Sequence, residues 1–404
     1  MKPSDALYLA VRSLWWYRGR ALTISLCLGL TLWLPVTVRL LLSQFRADIE
    51  ARAASTPLVI GPRGSRIDLA LHALYFHSTA AEQTKMEEAQ YVNDTGLAIA
   101  MPVHIRYVTQ AFGDVPGVPI VGATVEYFEF RRLQVQQGHG LAMLGDCLLG
   151  ANVAKRTGLK PGDRILSAPR NAFNLAGDYP LKMNVSGVLL PSHSPDDDVV
   201  FVDLKTAWII DGIGHGHQKV DQHTDNSLLL KSDDQNTLTA NAAVLPYTEI
   251  TKENVHTFHF HGRERDFPIS AVVVNPASRR NQTLLLGRYI TERSQEAQCV
   301  KPAEVVNELM NVVFRVEKLM TFSSLLSGLV TALLLSLVLI LSIRLRAAEL
   351  RTMFRLGCSR SAVTLLIGTE ILLMVLCGLV LTTLLTVATR SAATEWLRSL
   401  LFAA

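Results

Sequence analysis

The chain has 404 residues, of which 39 are basic and 35 acidic, and its formal net charge is +4. This balance gives no support to a nucleic-acid-binding protein, which needs a strongly basic surface. Hydrophobic residues make up 49% of the chain and concentrate in three apolar blocks at residues 21–42, 319–343 and 362–389. Each block is long enough to cross the ~30 Å hydrocarbon core of a bilayer as a helix. The composition therefore predicts a membrane protein with three transmembrane helices.

The basic residues set the expected orientation of these helices. They cluster in the N-terminal residues 1–20 and in the turn at residues 344–361. Because cytoplasmic loops carry the excess of Lys and Arg, both segments are expected in the cytoplasm. Residues 43–318 and the tail at residues 390–404 then lie outside it.

The segments next to the blocks have helical patterns of their own. Residues 1–20 place apolar side chains on one face and end near Trp15 and Trp16, which suits an amphipathic helix at the membrane surface. The first block continues outward along an apolar stripe from Leu42 to Ile49. Before the second block, apolar residues recur at spacings of four and three from Val305 to Leu319. The pattern predicts stalk helices at both ends of the outer region.

Residues 43–318 read as one large mixed region. Short β-rich runs alternate with turns, helices are expected at residues 79–91 and 277–294, and a boundary between two subdomains is expected near residues 132–140. The predicted fold class is an α+β membrane protein. Its three transmembrane helices are arranged as one and then a pair, with a large mixed α/β extracytoplasmic domain inserted after the first.

No catalytic or nucleotide-binding motif occurs in the chain. It has no phosphate-binding loop, Gly-x-Ser-x-Gly elbow, His-Glu-x-x-His helix or Cys-x-x-Cys pair. We therefore expect a non-enzyme, with any ATP chemistry on another polypeptide. Cys147 and Cys299 are the two cysteines of the outer region, and only parity favours a disulfide between them.

Glu370 is the one charged residue inside the third block. Acidic residues inside membranes are costly and often functional. Since Glu370 lies near the cytoplasmic end of its block, it either reaches polar groups there or takes part in transport.

Histidines form two His-x-His pairs in the outer region. Residues two apart on a strand point to the same side, so the second pair would share one face while Phe258 and Phe260 take the other. Zn²⁺ accepts imidazole nitrogens in tetrahedral sites, and His193, Asp196 or Asp197 could add ligands. Two interpretations stay open: polar loop histidines bonded to backbone, or a transition-metal site. The candidate metal ligands are His215, His217, His256, His259 and His261.

The turn and the apolar helix after it resemble a known family. The run ELRTMFRLGCSRSAV, followed by LLIGTEILLMVLCGL, is similar to the cytoplasmic coupling segment of FtsX/MacB/LolC-type ABC transporter permeases. The N-terminal ALYLAVRSLWWYRGRALTISL and the run PLVIGPRGSRIDLAL are also similar to parts of that family. Phe354-Arg355 departs from the usual Arg-Ala order. The resemblance assigns ATPase coupling to Glu349, Arg351, Arg355, Leu356, Gly357, Ser359 and Arg360.

The resemblance implies a permease subunit of a bacterial cytoplasmic (inner) membrane. It would bind no cofactor itself, apart from the zinc that the histidines suggest, with ATP held by a cytoplasmic ABC ATPase. Its other partners would be a second copy or a paralogous permease in a dimer, a periplasmic adaptor or lipoprotein, and membrane lipid. The implied work is mechanotransmission for export or extraction of a lipid, lipoprotein, peptide or drug, and the residues do not choose among these.

One departure from the family concerns the number of spans. Members have four, whereas here three are followed by the segment SAATEWLRSLLFAA, which is too short to cross a bilayer. That tail is expected as a re-entrant or interfacial helix, unless the fourth span is absent. The alternative function, from another class, is a membrane-anchored periplasmic metal-binding sensor or enzyme.

Overall fold

In a computed structural model of the chain, the described residues are 3–76, 82–113, 115–168, 180–216, 229–233, 237–240, 248–293 and 295–403. They form two compact units. The membrane unit comprises Met1–Ala47 and Met310–Ala404, and the outer unit comprises Asp48–Leu309. The helices are α1 Pro3–Trp16, α2 Arg18–Ala54, α3 Arg66–Tyr75, α4 Glu87–Asp94, α5 Val125–Arg131, α6 Ala151–Thr157, α7 Leu204–Ile210, α8 Arg279–Thr291, α9 Pro302–Leu345, α10 Ala347–Arg355 and α11 Arg360–Ala403.

Three helices of the described chain are long and apolar enough to cross a membrane. The spans lie at Arg18–Ala54, Lys318–Val338 and Arg360–Thr389, on α2, α9 and α11. Helix α11 runs on without interruption to Ala403, so the segment after residue 389 continues the third span as helix. The protein is a membrane protein of mixed α/β content.

Helices α2 and α11 are packed together within the membrane unit. A Cβ added at Gly378 would lie 2.7 Å from Leu28 Cδ2, and one added at Gly29 would lie 2.8 Å from Leu381 Cδ2. Real Cβ atoms do not approach so closely, so the two glycines permit the close contact. Small residues at facing positions are the usual means by which membrane helices approach each other.

Hydroxyl groups add hydrogen bonds along the same α2–α11 contact. Ser25 Oγ donates to the Met374 carbonyl at 3.0 Å, and Thr382 Oγ1 donates to the Gly29 carbonyl at 3.1 Å. Thr37 and Thr386 also meet, with their Oγ1 atoms 3.3 Å apart. In hydrocarbon these bonds satisfy polar groups that water cannot reach.

The outer unit contains seventeen strands in the part of the chain that the structure describes. They are β1 Leu58–Gly61, β2 Thr84–Lys85, β3 Ala98–Val108, β4 Pro119–Ala123, β5 Val135–Gly138, β6 Asp146–Leu149, β7 Arg164–Leu166, β8 Leu181–Leu189, β9 Val200–Asp203, β10 Gly214–Gly216, β11 Leu229–Asp233, β12 Thr237–Ala240, β13 Thr248–Glu249, β14 Phe258–Phe260, β15 Pro268–Ile269, β16 Ala271–Pro276 and β17 Gln298–Val300.

Eleven of these strands form one sheet with the order β13-β8-β6-β9-β4-β3-β16-β1-β17, and β5 and β7 both pair with β8. Most neighbours are antiparallel, whereas β4 runs parallel to β9, and β6 and β13 both run parallel to β8. The central strands are covered on both faces. On β16, Val273 packs into one hydrophobic cluster while Val272 and Val274 pack into another. This explains the unbroken apolar run at the centre of β16.

Two expectations for the outer unit need correction, and a third is confirmed. The sheet continues through residues 132–140, where β5 pairs with β8, and residues 48–309 form one compact unit without a subdomain boundary. The helix expected at 79–91 begins only at Glu87, because Thr84–Lys85 pairs with β15 as a strand. The helix expected at 277–294 is confirmed as α8, with Ser278 as its N-cap.

Cys147 and Cys299 are free thiols on distant strands. Cys147 lies on β6 and Cys299 on β17, six strand positions away in the sheet order. At ~4.8 Å per position that is roughly 29 Å, far beyond the ~7 Å Cα limit for a disulfide. Burial raises the pKa of both thiols, that of Cys299 to about 12, which keeps them protonated and unreactive.

Candidate functional site

The turn at residues 344–361 contains a short helix with sharp ends. Helix α10 starts after Arg346 and ends at Arg355. Gly357 then adopts a φ of +89°, a left-handed conformation in which glycine avoids the strain of a Cβ. Ser359 caps the next helix, accepting a hydrogen bond on its Oγ from the Ala362 N–H at 3.3 Å. The glycine and the serine of the motif therefore define the exit from α10 and the start of α11.

Helix α10 presents an apolar and basic surface to solvent. Leu350 and Met353 are half-buried, whereas Arg351 and Arg355 are exposed. Phe354 is 44% exposed and Leu356, directly after the helix, is 80% exposed, so two large apolar side chains lie close together on this surface. Arg360 and Ser359 are exposed as well. Glu349 lies within α10, and its side chain is outside the described part of the chain.

The start of α10 is fixed by a buried carboxylate on α11. Glu370 is 3% exposed, and its Oε2 lies 3.0 Å from Arg346 Nη1 and 3.6 Å from Arg20 Nη2. Arg346 also donates to Ser13 Oγ at 3.3 Å and lies over the Tyr17 ring, 5.0 Å from its centroid. Arg346, the residue before α10, thus contacts α1 through Ser13 and α11 through Glu370. Arg20 on α2 contacts the same Glu370 carboxylate.

Glu370 therefore reaches polar groups, as one of the two sequence interpretations held. The sequence analysis missed its partners Arg346 and Arg20, although both lie in basic segments next to the spans. Two signals were available: a single acid in an apolar helix, and arginines at the same membrane depth on neighbouring segments. Side chains of that kind pair when they are within reach.

A second buried ion pair lies in the outer unit at the end of α2. Arg52 is 8% exposed and makes a bidentate contact with Asp196, in which Arg52 Nη2 lies 2.9 Å from Asp196 Oδ1. Tyr127 joins them, since its hydroxyl donates to Asp196 Oδ1 at 2.9 Å and accepts from Arg52 Nη2 at 3.1 Å. Burial raises the pKa of Asp196, but the positive charge of Arg52 outweighs burial and the net pKa is lowered. The pair therefore stabilises the fold above about pH 4, and this contribution is lost as the pH falls through the lowered pKa.

The sequence suggested His193, Asp196 and Asp197 as additional metal ligands, and Asp196 is the carboxylate of this ion pair. Asp196 is occupied by Arg52 and Tyr127. Asp197 accepts hydrogen bonds from the backbone N–H groups of Ser192 and His193, both at 2.8 Å. These two carboxylates are held by hydrogen bonds within and around the loop, and among the described residues neither belongs to the histidine group. Their part in metal binding stays a prediction.

Three of the five candidate metal-binding histidines lie together. Strands β10 and β14 pair antiparallel, and their register puts His215 directly opposite His259. His261 follows β14 on the same face as His259, with the two Nε2 atoms 3.1 Å apart. One ring nitrogen from each of the three residues lies within 4.8 Å of the other two. His256 belongs to the preceding helical turn Val255–Thr257 and is outside this group, and His217 lies outside the described residues.

Solved structures that are similar to this chain include three of low sequence identity. The periplasmic region of MacB from Actinobacillus actinomycetemcomitans has 12% sequence identity and a TM-score of 0.37, covering 63% of this chain and 93% of that one. The extracellular domain of the noncanonic ABC-type transporter YknZ from Gram-positive bacteria has 12% identity and a TM-score of 0.33, with 60% and 98% covered. A domain of a protein described as a permease from Porphyromonas gingivalis has 11% identity and a TM-score of 0.28, with 60% and 85% covered.

No protein-family model matches the chain, and a search of curated proteins gives no match either. At these identities and TM-scores the three structural similarities carry no functional argument. The function is therefore argued from the residues of the chain itself.

Proposed function

We propose that this chain is a non-catalytic permease subunit that receives the motion of a separate cytoplasmic ABC ATPase through α10. It would pass this motion to the outer unit, in the manner of FtsX-, MacB- and LolC-type permeases. The observation that carries the proposal is the exposed surface of α10, where Phe354 and Leu356 lie beside Arg351 and Arg355. Apolar side chains ringed by arginines are typical of protein interfaces.

The charge distribution supports a cytoplasmic position for that surface. The turn at residues 344–361 holds five arginines, and the N-terminal segment is also basic. Under the positive-inside rule both face the compartment that holds ATP. An ATPase that binds α10 would then act on Arg346 and Glu370, which connect this turn with α1 and α11.

Two unbroken helices offer a path from the membrane spans to the outer unit. Helix α2 carries the first span and ends in the outer unit, where Arg52 is bound to Asp196. Helix α9 begins in the outer unit, where Val305 packs into the central hydrophobic cluster, and carries the second span. In the proposed mechanism, displacement of a span moves the residues that the same helix contributes to the outer unit.

The proposal extends to the partners that the sequence resemblance implied. The permease would act as a dimer with a second copy or with a paralogous permease, in a bacterial cytoplasmic membrane with the outer unit in the periplasm. A periplasmic adaptor or lipoprotein would be the partner of the outer unit. The cargo would be a lipid, lipoprotein, peptide or drug that the outer unit exports or extracts.

Purification of the full chain from its native membrane tests the proposal. An ABC ATPase is expected among the bound proteins identified by mass spectrometry. Charge reversal at Arg351→Glu/Arg355→Glu should remove it, whereas the same change at Arg279→Glu/Arg280→Glu, on the exposed start of α8, should not. An ATPase that stays bound in full to the α10 variant, or no ATPase with the unchanged chain, would contradict the proposal.

A second candidate function rests on the histidine group. A membrane-anchored sensor in the periplasm needs a ligand site on the outer unit, and His215, His259 and His261 offer one. Deletion of residues 362–404 separates the two functions. A sensor needs only an anchor and would survive the deletion, whereas a mechanotransmitting permease would lose Glu370 and its function.

A further inference from the structure

We propose that His215, His259 and His261 form an exchangeable binding site for a divalent transition-metal ion of the Zn²⁺ class. This site is independent of the ATPase coupling proposed above. The structure brings together ring nitrogens that are 44 residues apart in the sequence at His215 and His259.

The strand pair holds the three imidazoles on one face by filling the other face with aromatic rings. Gly214 lies opposite Phe260 and Gly216 opposite Phe258 in the β10–β14 register. A Cβ at either glycine would lie within 2.5 to 2.7 Å of the facing ring, so each ring covers a glycine backbone. Phe258 and Phe260 also pack against the hydrophobic clusters of the outer unit. The histidines consequently project from a short sheet whose reverse face is attached to the core.

Hydrogen bonding prepares His259 to bind a metal through Nε2. Its Nδ1 lies 3.1 Å from the Thr257 carbonyl oxygen, which can only accept a hydrogen bond. Nδ1 must therefore carry the proton, and in the neutral ring the lone pair is then on Nε2. A backbone carbonyl that fixes the tautomer in this way is the usual outer partner of a metal-binding histidine.

The distances between the nitrogens fit one shared ion. Two ligands at ~2.0–2.1 Å from a tetrahedral ion lie about 3.3 Å apart. The Nε2 atoms of His259 and His261 are 3.1 Å apart, close to that value. The group spans at most 4.8 Å, and His215 is exposed, so rotation of its ring can close the remaining distance.

The ligand set selects the class of metal. Imidazole suits Zn²⁺, Cu²⁺ and Ni²⁺, whereas Ca²⁺ and Mg²⁺ require oxygen ligands, and no carboxylate belongs to this group among the described residues. Three ligands from the protein leave a fourth position for water or for a donor atom of another molecule. Because His215 and His261 are exposed and His259 is half-buried, that position is accessible. The geometry therefore points to an ion that exchanges with the surroundings.

Zinc titration of the full chain in detergent tests the site. The protein must carry no polyhistidine tag, and free Zn²⁺ is reported by a competing chromophoric chelator. We expect one Zn²⁺ per chain with a micromolar or lower Kd. His259→Gln/His261→Gln should raise the Kd by at least about 100-fold, since loss even of an outer-shell partner typically costs 10- to 100-fold. The controls His256→Gln and His139→Gln, which change histidines outside the group, should keep the original Kd.

A second variant and a second metal separate ligand loss from misfolding. His215→Gln changes the other strand and should weaken binding independently, with an unaltered far-ultraviolet circular dichroism spectrum. Co²⁺ bound to the unchanged chain should give the intense visible absorption of a tetrahedral ion, and His215→Gln should abolish that absorption. The proposal is overturned if the unchanged chain binds no Zn²⁺ at micromolar concentration. It is also overturned if either His variant binds as tightly as the unchanged chain, or if the controls lose binding equally.

Discussion

Helix α9 and the α2–α11 pair are equally suited to cross a membrane but differ in how they pack. In the span of α9, Lys318–Val338, no residue is buried within the chain, and most of the described large apolar side chains from Leu319 to Ile343 are exposed. Helices α2 and α11 instead bury Ile24, Thr37, Met374 and Thr382 against other residues of the membrane unit. The difference lies in facing glycine and hydroxyl groups rather than in hydropathy, since the α2 and α9 spans have the same mean hydropathy of 1.9.

This comparison assigns different roles to the helices of the membrane unit. The α2–α11 pair is a packed framework, whereas the span of α9 exposes most of its described apolar side chains. Helix α9 is followed by Arg346, which is paired with Glu370 on α11. This ion pair connects the start of α10 with the framework.

The largest effect is expected from removal of the buried carboxylate, because this breaks the connection. Glu370→Ala leaves Arg346 and Arg20 without their anion, and loss of one partner of a buried pair typically costs 3–5 kcal/mol. Both arginines are about a fifth exposed, so we expect a loss of about 3 kcal/mol in the free energy of unfolding. Thermal or denaturant unfolding in a single detergent measures it. Glu370→Gln keeps an acceptor oxygen and should lose less, and equal stability of the Ala variant would refute the connection.

A bulkier residue at the helix contact should break the framework itself. Gly378→Leu places atoms where Leu28 Cδ2 already lies, 2.7 Å from the new Cβ. Overpacking of this kind costs about 2 kcal/mol. Gly368→Leu on the same helix and Gly328→Leu on α9 are matched controls, because a Cβ at either position has open space around it. The comparison fails if Gly378→Leu and Gly328→Leu shift the unfolding midpoint equally.

The smallest effect is expected from a single hydroxyl at the contact. Thr382→Val keeps the shape of the side chain but removes the hydrogen bond to the Gly29 carbonyl, together with the one to the Gly378 carbonyl within its own helix. Hydrogen bonds between membrane helices average about 0.6 kcal/mol, so the free energy of unfolding should fall by that amount. Thr383→Val, whose hydroxyl bonds within its own helix, provides the control. If Thr383→Val lowers the free energy of unfolding as much as Thr382→Val does, the hydrogen bond between the two helices does not stabilise their contact.

Much of this architecture could be predicted from local sequence, because it depends on local composition. The three spans follow from length and hydropathy, and the helix expected at residues 277–294 is present as α8. The common face of His259 and His261 follows from strand alternation, with Phe258 and Phe260 on the other side. In each case the physical cause lies within a few consecutive residues.

The remaining features depend on partners that are distant in the sequence. Glu370 pairs with an arginine 350 residues earlier and with another 24 residues earlier, and no periodicity encodes either contact. Asp196 resembled a metal ligand in its acidic run, whereas 144 residues separate it from the arginine that binds it. The subdomain boundary was misplaced because a turn-rich segment is compatible with a break in the fold or with a strand pairing. Only the three-dimensional structure shows that this segment forms β5 and pairs with β8.

Site-specific photo-crosslinking from α10 tests the central claim most directly. A benzoylphenylalanine in place of the exposed Phe354 is expected to capture an ABC ATPase subunit in native membranes, because this side chain lies at the centre of the proposed docking surface. The same probe at Leu333, an exposed position on the span of α9, serves as the control and should capture lipid or another membrane chain. Absence of an ATPase crosslink at Phe354, or an equal ATPase yield at Leu333, would contradict the assignment of α10 as the coupling element.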